Sequence, residues 1–160
     1  MNLLFTSITE QYRAVVESRT VLLEYCKTVS AADFLNENSS FGRGGSIRNL
    51  LVHIANVYEY WIAHHALKKD IAYTAYDANN SMDDILHLFD RVNKYMQEFI
   101  EMFLADPEQY IQYTLNNESR STSLLWLFTH VITHEFHHKG QILSLSRHLG
   151  YIPVDTDVIR

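Results

Sequence analysis

The 160 residues contain a single cysteine, Cys26. One thiol cannot close a disulfide within the chain, so stability has to come from a packed core, and a reducing, cytoplasmic setting is expected. Prolines number two and glycines five, with three of the glycines (Gly42, Gly44 and Gly45) in one stretch. Breakers this few and this clustered favour long helices over a fold with many tight turns. Cationic side chains are also short: 13 Lys and Arg against 19 Asp and Glu give a formal net charge of −6, with no basic stripe. A nucleic-acid partner is therefore not expected. The longest purely apolar run, residues 124–128, is far below the ~20 residues that cross a bilayer, so no membrane partner is expected. The first residues, M-N-L-L-F-T-S-I-T-E, lack a basic segment followed by a sustained apolar one, so no secretory signal is expected.

Apolar residues make up 47% of the sequence, enough for one globular domain over residues 1–160 with its own core. Ser7-Ile-Thr-Glu10 fits a capping box and predicts a first long helix ending near Val29, with Ile8, Tyr12, Val15, Leu22 and Cys26 inward and Arg19 interrupting them. Cys26 has no histidine or basic cluster nearby in sequence, so it reads as a small core residue rather than a nucleophile. Residues 30–45 read as a connection with one helical turn at 31–35 and a flexible F-G-R-G-G-S end. A second long helix, capped by Ser46, is predicted to reach about Leu67, with Leu50, His53, Val57, Tyr60, Trp61 and His64 on one stripe. Ser81-Met-Asp-Asp84 caps a third, whose Ile85, Leu88, Phe89, Val92, Met96, Phe99 and Phe103 recur with helical period up to Asp106-Pro107. Residues 107–120, with weak alternation and Asn116-Asn117, admit a short hairpin or an irregular arm. A fourth helix runs from about Ser121 to Leu149, with Leu124, Leu127, Val131, His134, His138, Gln141, Ile142 and Leu145 inward and Gly150 and Pro153 as its stop. The expected fold is all-α: a four-helix bundle with long connections, whose up-and-down order the sequence leaves open.

Four of the nine histidines crowd into T-H-V-I-T-H-E-F-H-H-K-G-Q, residues 129–141. His134 and His138, one turn apart on one face, have the i, i+4 spacing that lets two imidazoles reach one ion. A buried pair without such a purpose would need hydrogen-bond partners for every ring nitrogen. His53, about two turns into the second helix, is the candidate third ligand; alone it would read as a satisfied core histidine. His130 lies ~40° from His134 on the helical wheel, a reserve ligand or an orienting group, and His137, ~60° away, suits the cavity rim. Either is also a candidate acid or base. His64 and His148 lie ~15 Å along the axis from the proposed ligands and cannot join the same ion. His65 and His87 read as surface residues, and Glu135, ~100° from His134, faces a neighbouring element or solvent rather than the ion.

The segments L-L-V-H-I-A-N-V-Y-E-Y-W and H-E-F-H-H-K-G-Q-I, with L-G-Y-I-P following, resemble the DinB/YfiT-like superfamily over essentially the whole chain. These are four-helix-bundle proteins classed as metalloenzymes. The resemblance implies a metal triad at His53, His134 and His138, a divalent ion (nickel or zinc), and a homodimer. Some members are thiol S-transferases or isomerases that use a low-molecular-weight thiol. With three histidines on the ion, open positions remain for water or substrate. The first expectation is a thiol transferase in which the ion favours a thiolate that attacks a small electrophilic substrate. Arg43, Arg48, Lys139 and Arg147 are its candidate anion contacts, although each also reads as a solvated charge. A metal-dependent hydrolase and a non-catalytic, metal-stabilised helical module are the alternatives. Tyr58, Tyr73, Tyr76 and Tyr110 are the aromatic residues considered for a subunit interface.

Overall fold

In the computed structural model, which describes residues 3–39 and 45–160, the chain is mostly helical. Helix α1 (Leu3–Cys26) is followed by a single turn, α2 (Ala31–Leu35), and then by α3 (Ile47–Tyr58), which continues without a break as a π-helical segment, Glu59–Ala66. A short 3-10 turn at Tyr76–Ala78 leads into α4 (Met82–Ala105). A hairpin of β1 (Tyr110–Leu115) and β2 (Glu118–Ser123) precedes α5 (Leu124–His148). Helix α3 packs against both α4 and α5, and α1 against the same two helices.

Most of these elements begin where the local chemistry requires. Ser46, Ser81 and Ser123 each accept a hydrogen bond from a backbone N–H three residues on, satisfying a donor that the first turn leaves unpaired. At Ser81 the bond is reciprocated by Asp84, completing a capping box. All seven apolar residues expected on the inner face of α4 are buried. At the far end of α5, Gly150 takes a φ of +93°, Tyr151 N–H bonds the Ser146 carbonyl and Gly150 N–H bonds that of Arg147, a full Schellman stop.

Four expectations are corrected here. Helix α1 is already formed at Leu3, so Ser7 lies inside it and is not its cap. Residues 110–123 form a complete hairpin, so α5 starts at Leu124 rather than near Ser121. Its two-residue turn, Asn116-Asn117, has positive φ at both positions (52° and 63°), the geometry that matches the twist of the strands. The second long helix changes from α to π hydrogen bonding at Glu59, with Leu67 N–H reaching the Ile62 carbonyl five residues back. Tyr58, considered for an interface, is completely buried. The flexible end expected at 41–44 lies outside the described residues.

The π segment is held from the α4 side. Glu59 is buried and accepts from Arg91 Nη2 at 2.6 Å and from Thr74, whose backbone N–H also bonds Asn56. A π turn widens the helix and shifts its outward face. Trp61 lies half-buried beside the hairpin, its ring 5.0 Å from that of Tyr113, and half-buried Tyr60 packs against Trp61, His65 and Tyr73. No described helix is long and apolar enough to cross a membrane.

A three-histidine candidate metal centre

Helices α3 and α5 bring His53, His134 and His138 together. Each offers a ring nitrogen within 4.8 Å of the others. The ring centroids are 5.1 Å apart for His53 and His134, 4.6 Å for His53 and His138, and 4.4 Å for His134 and His138. His138 is buried and the other two are half-buried, so the cluster sits at the edge of the core with an open side.

The donor set fits a metal on three counts. First, Nδ1 of His134 is buried and has no hydrogen-bond partner among the described residues, a costly state for a polar atom. Second, burial, and then the neighbouring His138 and His53, hold the His134 ring down to about 4, so it is neutral at pH 7, the form that ligates. Third, the His138 ring is oriented from outside: its Nδ1 lies 2.7 Å from Gln141 Oε1. An amide oxygen only accepts, so Nδ1 carries the proton and the lone pair is on Nε2. Gln141 Nε2 in turn donates to His137 Nε2 at 3.3 Å.

The remaining histidines divide. His130, reserve ligand and acid or base candidate, lies outside the three-nitrogen cluster, with its ring 5.7 Å from His134 and 5.4 Å from Trp61. Burial keeps its pKa below the ordinary value, although much of the ring faces solvent. His137 is exposed, at the rim as expected, and is tied to the cluster through Gln141. His65, expected on the surface, is half-buried among Tyr60, Trp61 and Tyr113, and its Nε2 has no partner among the described residues.

Behind the triad lies a second polar cluster that the sequence did not announce. Glu135 is 1% exposed and accepts from Arg19 Nε (2.9 Å) and Nη2 (2.7 Å) and from the Tyr58 hydroxyl (2.6 Å). Lys139, also 1% exposed, lies 3.1 Å from Glu135 and donates to Ser18, whose hydroxyl donates to the Thr156 carbonyl. Burial pushes the Glu135 carboxyl up, but Arg19, then Lys139 and the Tyr58 hydroxyl outweigh it, and the carboxyl falls below its ordinary value. Arg19 therefore does not interrupt a buried stripe; it is part of the core.

Two of the four expected anion contacts are corrected by the same observation. Lys139 is committed to Glu135 and Ser18, and Arg48 is 7% exposed and bound to Asn49, Asn80 and Glu37. Arg147 is exposed near the end of α5, and Arg43 is outside the described residues. The buried Cys26, pushed up to about 12 by burial, offers no thiolate.

The chain is mostly helical, and two of its helices face each other across a three-histidine cluster that could hold a metal ion. The chain belongs to the DinB family: the family model matches residues 4–160, nearly the whole length. No curated protein matches the sequence significantly, so the assignment rests on that family match together with the histidine cluster.

Proposed function

We propose that His53, His134 and His138 hold one divalent cation, nickel or zinc, and that the protein is an enzyme that brings a low-molecular-weight thiol to a small electrophile. The four long helical stretches would form the four-helix bundle of a cytoplasmic homodimer. The observation that carries the reading is the convergence of three imidazoles from two helices, with a buried ring nitrogen that no described residue satisfies. A cation there would supply the positive charge that favours the deprotonated form of a thiol or water entering the site.

What the chain's own residues contribute is orientation and proton handling. Gln141 fixes the His138 tautomer, a contact of the kind whose loss typically weakens metal affinity 10–100-fold. His130, largely neutral at pH 7, stands close enough to the triad to take a proton from an incoming thiol or water. The nucleophile has to come from the substrate side, because Cys26 is buried and protonated.

The test begins with metal content. Wild type is expected to bind one equivalent of nickel or zinc and His53→Ala, His134→Ala and His138→Ala to lose it; stoichiometric metal in all three variants would sink the site. Loaded protein is then offered a panel of low-molecular-weight thiols with an electrophile. Turnover of esters or amides without a thiol would reassign the protein to metal-dependent hydrolysis. A large loss of thermal stability on chelation, with no turnover, would make it a metal-stabilised helical module.

A further inference from the structure

Next to His130 the π segment, the hairpin and the start of α5 line an open cleft of about 290 Å³. Its aromatic walls are Trp61, Tyr113 and Trp126, and Leu115 and Leu127 complete the apolar lining. Thr122 and His130 also line it, and Tyr113 brings a hydroxyl. No carboxylate, lysine or arginine is among the lining residues. His130 joins this space to the triad, since its ring stands 5.7 Å from His134 and 5.4 Å from Trp61.

We infer that this cavity is the subsite for the electrophilic substrate and that it receives a neutral, flat apolar group, a substituted aromatic ring, whose reacting end reaches the triad past His130. The inference rests on the proposed metal reading for its catalytic meaning. Size sets the class. An apolar cavity of ~150 Å³ holds benzene, so 290 Å³ accommodates a ring with substituents. Charge narrows it further. Neither an anionic nor a cationic guest would meet an opposite charge among the described lining residues, so a neutral one fits them best. Three aromatic side chains favour a flat guest, through the edge-to-face and offset contacts that ring pairs prefer. A larger cavity, about 570 Å³, lies between the 71–79 linker and α4, but it is lined by Asp84, His87 and Arg91 and by none of the triad.

Trp61 and Trp126 are the chain's two tryptophans, and both line this cavity, so intrinsic indole emission reports on it. The probe is 4-nitrobenzyl alcohol, a neutral nitroaromatic that quenches indole, titrated into metal-free protein. Quenching is expected to saturate, and 4-nitrobenzoate is expected to bind about tenfold more weakly or worse. Thr122→Phe, which fills the space, and Leu115→Arg, which charges it, should each weaken the alcohol about tenfold or more. Both positions are half-buried, and a retained melting transition checks that the variants fold. Quenching that rises linearly without saturating, that is equal for alcohol and carboxylate, or that is unchanged in the folded variants would overturn the inference. His53→Ala separates this outcome from the metal reading. It should lose metal yet keep saturable quenching, whereas metal retention with unsaturable quenching by the wild type would remove the cavity proposal alone.

Discussion

His134 and Glu135 are consecutive residues of α5, and so are His138 and Lys139, yet the two i, i+4 pairs end in opposite circumstances. The Glu135–Lys139 pair points towards α1 and α3 and is saturated: two contacts from Arg19, one from Tyr58, one from Ser18, and the pair's own contact. The His134–His138 pair, a step of ~100° round the same helix, points towards His53 and leaves the Nδ1 of His134 without a partner among the described residues. Polarity in a core is expensive in both cases. Where every group is answered from within the chain, the cluster orients helices; where one described group is left over, the cluster has room for a ligand to answer it.

The comparison is tested hardest by removing the centre of the saturated cluster. Glu135→Ala would strand two buried cations, and urea unfolding of the metal-free protein is expected to lose about 3–5 kcal/mol. His134→Ala in the same assay should stay within ~1 kcal/mol of wild type, because it removes a group that makes no hydrogen bond at Nδ1. Equal losses in the two variants would erase the distinction. Tyr58→Phe deletes one hydrogen bond to the Glu135 carboxylate with little change in volume, and a loss of about 1.5–3 kcal/mol is expected by the same measurement.

On the other side of α5, Gln141→Ala should leave the metal-free stability within ~0.5 kcal/mol while weakening nickel or zinc about 10–100-fold by competition with a chromogenic chelator. A change in stability without a change in affinity would place Gln141 with the structural cluster instead. Cys26 supplies a third kind of buried polar atom, one that needs neither ion nor partner. Its folded-state pKa of about 12 lies above the ordinary 9.0, so the folded protein holds this proton more tightly than the unfolded chain. The stability this contributes is complete below pH 9 and declines as pH rises from there towards 12. At pH 8, labelling by a thiol reagent should therefore follow the fraction unfolded, and fast labelling of native protein would contradict the burial.

How much of this was legible in the sequence depends on the kind of signal. The triad could be found because i, i+4 histidines and an inward-facing His53 are local patterns, and helical geometry then limits the partners. The apolar stripe of α4 was legible for the same reason. Arg19, Glu135 and Lys139 were not, because a charge on a helix reads as solvated until its partners are known, and these partners come from α1, α3 and α5. The change to π hydrogen bonding at Glu59 leaves no mark in apolar periodicity either. It depends on contacts from Arg91 and Thr74, 32 and 15 residues away. Asn116-Asn117 did signal a turn, but the extent of the strands is set by Ile111, which is buried, and by Tyr113, which packs on Trp61.

The π-helical segment begins six positions after His53 in the sequence and carries Trp61 beside the hairpin. Deleting one residue within it would return the helix to ordinary pitch and swing everything beyond by ~100°. His53, upstream, would keep its place, while the aromatic wall would turn away from the hairpin. The three-histidine cluster and the aromatic surface beside the hairpin are thus separable units joined by one helical register, and a lineage could exchange the second while inheriting the first intact.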